Sequence, residues 1–309
     1  MLLEIVSEYS RFVIFLGLTA FCSTACDLAS LQTETNVDKE VSVDYGEARI
    51  LGRIDSPKIT ESSGIASSLC QENVFWTHND SGDGGNIYAL DDKARLIGEF
   101  TVSGALNRDW EDIASFKSAN GECFLFIADT GNNGRSRSSF AIYKLKEPKI
   151  KKEGPAPLTE KAVPIIFSYP DMRHDAESIF VHPESETIYV ITKRISDAAG
   201  VYKLEKGSGT AKKVADIEVP SVPKGLITGA AISPDGKRVI ICDYFGGYEY
   251  VLPKDATDFD DIWNEKPRLV DLGVREQGEA VSYSADGLSI YATSEHRNAP
   301  LIIVSRRIE

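Results

Sequence analysis

The chain has 309 residues, of which 42% are hydrophobic and 26% charged, so it can bury a sizeable core and does not have the composition of a disordered protein. A formal net charge of −13 argues against nucleic acid as a partner, because phosphate binding draws its affinity from clustered Lys and Arg that this chain lacks.

At the N-terminus Arg11 precedes FVIFLGLTAF, an apolar run too short to span a bilayer as a mature helix but right for the h-region of a signal peptide. STACD follows, with small Ala25 before Cys26 in the manner of a bacterial lipobox, although Ser23 stands where Leu is usual. Residues 1–26 are therefore predicted to be a signal peptide of lipoprotein type with Cys26 as the lipidated residue, a plain secretory signal being the alternative. The protein is expected to be exported, and to meet a membrane only through its lipid anchor, facing the periplasm or the cell surface. Residues 27–47 are polar, acidic and aperiodic, and read as a flexible linker.

From residue 48 onward the chain repeats itself at a spacing of about 50 residues. Five segments open the units: SSGIASS, WEDIASF, AESIFVH, GAAISPDG and GEAVSYSADG. Each is followed by a turn and a second apolar strand, NVFWTHND, CFLFIADT, TIYVITKR, RVIICDY and SIYATSE in order, and then by third and mostly fourth strands. Four short strands per repeat of this length is the pattern of β-propeller blades, and SPDGKRV and SADGLSI place Asp-Gly where tight hairpins need it. The last unit ends without a fourth strand, whereas ARILGRID at residues 48–55 is a strand without a unit. The prediction is an all-β, five-bladed propeller over residues 48–309, closed by that N-terminal strand. Six blades would need a further unit that the repeat does not show.

In a propeller the first strand of each blade lines the channel, and the loops leading into it share a face with those leaving the second strand. The repeat places Ser63, Glu111, Glu177, Ala230 and Glu279 at the starts of the first strands, with Glu61, Asp109, His174, Asp175, Arg275 and Gln277 beside them. His78, Asp80, Asp129, Lys193, Arg194, Asp243 and Glu295 stand at the exits of the second strands. All of these are expected at one acidic axial mouth. A ring of carboxylate oxygens suits calcium, which accepts six to eight of them in irregular geometry, and Glu111, Glu177 and Glu279 are the predicted metal ligands. The plainer expectation is a water-filled mouth with solvated acids. His174 and Asp175 are the candidates for acid and base chemistry. No GxSxG, HExxH or P-loop pattern appears, so nothing points to nucleophilic catalysis.

Trp110 is expected to wedge between blades and Asp112 to face the flank of its strand. The exits DSGDGGN and DTGNNGR read as loop-building Gly-rich turns with positive φ. Cys70 and Cys123 occupy equivalent turns of neighbouring blades and are predicted to form a disulfide, which leaves Cys242 as a buried thiol. No CxxC or Cys/His cluster supports zinc.

Taken together, ESSGIASS, FWTHNDSGDGGNIYALD, NRDWEDIA, IADTGNNGRSRSSFAIYKL, HDAESIFV, TGAAISPDGKRV and QGEAVSYSADG resemble a family of exported bacterial β-propeller proteins, often called WD40-like, with no established activity. The resemblance implies an acidic residue near Ala231 that this chain does not have. A more distant architectural likeness is to calcium-dependent propeller lactonases and phytase-like phosphoesterases. The expected function is binding of a polar small molecule, a glycan or a protein partner at the acidic mouth, with a calcium-dependent hydrolase as the alternative.

Overall fold

The computed structural model describes residues 44–150, 157–205 and 209–307. The predicted signal peptide, Cys26 and all but the last four residues of the predicted linker lie outside the described residues.

The strands follow the repeat. Strand β1 is Arg49–Arg53. Blade 1 holds β2 (Ser62–Ser67), β3 (Phe75–Asn79), β4 (Asn86–Leu90) and β5 (Leu96–Thr101). Blade 2 holds β6 (Trp110–Lys117), β7 (Cys123–Asp129), β8 (Phe140–Lys146) and β9 (Val163–Ser168). Blade 3 holds β10 (Ala176–Val181), β11 (Ile188–Thr192), β12 (Ala199–Leu204) and, after the two-residue strand β13 (Gly209–Thr210), β14 (Lys212–Ile217). Blade 4 holds β15 (Gly229–Ile232), β16 (Arg238–Cys242), β17 (Gly247–Val251) and β18 (Arg268–Val270). Blade 5 holds β19 (Gly278–Tyr283), β20 (Ser289–Ser294) and β21 (Pro300–Ser305).

Each blade is an antiparallel meander, and β1 completes blade 5 by pairing antiparallel with β21. The innermost strands touch in the order β2, β6, β10, β15, β19 and back to β2, which closes a five-membered ring. Closure on β1 leaves the last blade with no missing outer strand to attract a foreign one. Blade 2 alone gains a fifth strand, because β13 on its way into β14 pairs parallel with β9. The propeller also starts earlier than the linker boundary suggested. Tyr45 bridges Arg306 and its buried hydroxyl donates to Glu249 at 2.6 Å.

Strand alternation feeds the interfaces between blades. Every neighbouring pair of blades shares one buried apolar cluster, five in all. Trp110 is fully buried in the one between blades 1 and 2, and its indole N–H donates to Leu106 O at 3.0 Å. The Asp-Gly turns put Gly236 and Gly287 at φ of 69° and 70°, where a β-carbon would be strained. A disulfide joins Cys70 to Cys123 across blades 1 and 2, with the Cα atoms 6.2 Å apart. Cys242 is a free, buried thiol that burial pushes up to about 11. Among the described residues no helix is long and apolar enough to cross a membrane.

Candidate functional site

The channel mouth depends on a local irregularity that recurs around the ring. In β2, β6, β10 and β19 the pairing with the second strand shifts by one residue, between Ser62 and Gly64, Trp110 and Asp112, Ala176 and Ser178, and Gly278 and Ala280. The extra residues are Ser63, Glu111, Glu177 and Glu279. A β-bulge leaves its extra residue outside the ladder and turns its side chain away from the regular alternation. In blade 4 the register runs unbroken through Ala230, and that blade brings no acid to the ring.

Two overlapping groups of carboxylates result. Asp80, Asp109 and Glu111 form one and Glu111, Asp175 and Glu177 the other, and within each the oxygens lie within 4.8 Å of one another. Oxygens around a single calcium ion at about 2.4 Å span no more than this. Glu111 and Glu177 are only 4% exposed, and Asp175 is 9% exposed. The loop after β7 closes over them. A β-carbon on Gly131 would stand 2.0 Å from Glu111 Oε1 and 2.4 Å from Asp109 Oδ2, so glycine serves close approach here. Positive φ, expected of these loops, occurs at Gly82 in the blade 1 exit, at 82°, and in the blade 2 exit at Arg135, at 48°, not at Gly131. Asn132 N donates to Asp175 Oδ1 at 2.6 Å and Thr130 Oγ1 to Ala176 O at 2.7 Å, fixing blade 2's exit to blade 3's first strand.

Burial, reinforced by mutual repulsion, pushes the Glu111 carboxyl well above its ordinary range, and burial does the same to Glu177 despite Lys193. Burial and the neighbouring Asp80 and Asp175 push Asp109 up to about 6. Lys193 Nζ lies 2.5 Å from Glu177 Oε1 and 5.3 Å from the centre of the Tyr244 ring. Burial opposes its charge, but Glu177 and Glu279 outweigh burial and hold the ammonium above its usual range. Glu177 Oε2, on the other side of the same carboxylate, is buried and has no hydrogen-bond partner.

Other predicted residues have different places. Glu279 is not in either carboxylate group; it accepts from Gln277 Nε2 at 2.7 Å, and burial pushes it up to about 7. Asp175 takes the place in the cluster predicted for Glu279. Gln277 also donates to Glu295, and Glu61 lies on the exposed rim, close enough to raise both Asp80 and Glu295. Asp129 is buried, pairs with Arg137 at 2.9 Å and accepts from Asp109 N at 3.1 Å, so it positions the cluster without joining it.

Several side chains turn away from the mouth. His78 is fully buried against Trp110, its Nδ1 3.0 Å from Asn79 O, and burial lowers it to about 4. His174 points to Asp171 Oδ1 at 3.1 Å and Tyr202 Oη at 2.8 Å, under the ring of Tyr169. Arg194 reaches Asp197 at 2.7 Å. Asp243 is consumed by its own turn, accepting from Phe245 N, Gly246 N and the Tyr248 hydroxyl. Arg275 is buried on Gly278 and donates to Asp243 O and Gly246 O, each at 3.2 Å. Asp112 is also corrected: it is fully buried, not flank-facing, and accepts from Ile113 N and, across to blade 3, Ile179 N, both at 2.8 Å. An acid one residue inside the first strand marks Glu111 and Glu177 of the cluster but also Glu279, which lies outside it; Asp80, Asp109 and Asp175 stand in the flanking loops.

No protein-family model matches the sequence, and neither does any curated protein.

Proposed function

We propose that the protein is a binding propeller whose axial mouth captures a hard cation, calcium by its ligand chemistry, and through it a polar ligand or partner. The observation that carries this reading is Glu177 Oε2, a buried carboxylate oxygen without a hydrogen-bond partner, on a residue grouped with Glu111 and Asp175, one carboxylate oxygen of each lying within 4.8 Å of the others. The two groups hold five carboxylates, and the cations that act on them are fewer: Lys193 on Glu177, Arg137 on Asp109 and Arg135 on Asp175. Crowding buried carboxylates is costly, and a divalent cation, like protonation, removes the cost. Calcium takes more oxygens than these acids supply in one shell, and the open side toward Glu61, Asp80 and Glu295 would admit hydroxyls of a glycan or a carboxylate of a partner. The hydrolase reading needs His174 or Asp175 as a proton carrier; that imidazole is committed to Asp171 and Tyr202, and Asp175 accepts from Asn132 N within the carboxylate group; binding is therefore the function stated.

Calcium titration followed by thermal unfolding tests the site. At 100 times its dissociation constant, calcium should add roughly 2.7 kcal/mol of stability. Glu177→Gln combined with Glu111→Gln should erase that gain while the protein still unfolds cooperatively. A calcium response equal to that of the unsubstituted protein would remove the site.

We further propose that the propeller works outside the cytoplasm, tethered through Cys26. The Cys70–Cys123 disulfide supports this, because such bonds persist in oxidising compartments. Lipid labelling that survived Cys26→Ser would refute the tether.

A further inference from the structure

The opposite end of the channel has another chemistry. Where the first strands finish and turn into the second, a cavity of about 380 Å³ opens between the blades. Its walls include Ile65, Ile113, Phe180, Val181 and Ile232, and small residues such as Ala114, Ala231 and Ser115 between them leave the space open. Charge is confined to Lys117 and Glu184 at the outer turns. Asp112, next to the lining residue Ile113, reaches from blade 2 to the Ile179 amide of blade 3 and lies close to the Ala230 amide of blade 4. One lining group is unsatisfied. Ser67 is 5% exposed, its amide is used by Ser282 Oγ at 2.9 Å and its carbonyl by Ser115 Oγ, but its own hydroxyl has no partner.

We infer that this cavity is a second binding site, for a small uncharged molecule with an apolar body and one hydrogen-bonding oxygen that pairs with Ser67 Oγ. The volume lies in the range of small-molecule pockets, which combine apolar walls with a few placed polar groups. A charged group seated beside the isoleucines would have no counter-ion, which sets the requirement for neutrality. Nothing in this inference depends on a cation at the mouth.

The test is calorimetric titration of 4-propylphenol and of propylbenzene into the full-length protein. Saturable one-to-one binding of the phenol is expected, with at least a tenfold loss in Ala231→Phe, which fills the space. Ser67→Ala should weaken the phenol and leave propylbenzene unchanged, and Glu177→Gln should alter neither. Absence of saturation in the unsubstituted protein, or undiminished affinity in Ala231→Phe, would overturn the site. If Ala231→Phe does not fold, magnetisation transfer from the phenol ring to the methyl groups of Ile65 and Ile232 in the unsubstituted protein decides the matter: its presence supports the site and its absence refutes it.

Discussion

The two ends of the channel are lined by the same five strands, yet one end gathers carboxylates and the other small and aliphatic side chains. The difference begins with register. At the mouth, bulges at Ser63, Glu111, Glu177 and Glu279 interrupt the alternation; past them the strands pair regularly, and Ile65, Ile113 and Ala231 line the far cavity. Blade 4 is the internal control, having no bulge in its first strand and Ala230 where three other blades have a glutamate. A propeller can thus keep its blades alike in packing while bulge residues in two blades, Glu111 and Glu177, join loop acids to make the mouth unlike the far end. The buried acids differ as well: at the mouth they crowd together and burial with mutual repulsion raises their carboxyls, whereas the lone Asp112 between the two ends is satisfied by backbone amides.

The strongest way to break the contrast is Trp110→Ala. Removing the fully buried indole between blades 1 and 2 should cost about 3–5 kcal/mol in chemical denaturation and, because Glu111 follows directly on the chain, should take the calcium response with it. Retention of calcium binding in a folded Trp110→Ala protein would show that the wall does not hold the cluster.

A pH series separates the two ends next. Glu279 and Asp109 are raised to about 7 and about 6, so the folded state holds their protons more tightly than the unfolded chain does. Their contribution to stability is complete below about pH 4 and is lost as pH rises through 7. Without metal, the melting temperature should fall across that window for these groups, calcium should progressively reverse the fall, and calcium affinity should rise with pH as the ligands ionise. Binding of 4-propylphenol at the far end should stay level over the same range. Burial-lowered His78 contributes stability that rises over the lower part of the same window, so the check is the difference between the metal-free protein and its Glu279→Gln, Asp109→Asn variant: a pH dependence from 5 to 7 that the substitutions left unchanged would contradict the raised carboxyls.

The smallest expected effect sharpens the mouth itself. Lys193→Met withdraws the ammonium that occupies Glu177 Oε1, and should tighten calcium by about tenfold, equivalent to roughly 1.4 kcal/mol, in direct titration. Weaker calcium binding in this variant would mean that Lys193 organises the site instead of competing for it.

Much of this was legible without coordinates. The repeat, the five blades, the closing strand and the wedge at Trp110 follow from apolar alternation and turn residues, which act over a few neighbouring positions. Which acids form the cluster was only partly legible. Glu111 and Glu177 belong to it, but Glu279 does not, and Asp175 and Asp80 do. Residues at the same step of each repeat share an address on the face, but not a direction. His78 turns onto Trp110, Asp243 into its own turn, His174 toward Tyr202 and Arg275 onto Gly278, each drawn by a partner that becomes adjacent only after folding or by backbone geometry that the composition of the loop does not state.

The amino-acid sequence by itself determined the number of blades, the way the ring closes and the acidity of one face, because hydrophobic period and turn chemistry are local. Only the tertiary structure decided which carboxylates meet, through bulges that depend on pairing with the second strand and through loops such as that of Gly131, whose hydrogen acts as a side chain only because Glu111 and Asp109 lie against it. Convergence of charge and the opening of a cavity are properties of distances between chain segments far apart in sequence, and those distances are set by packing.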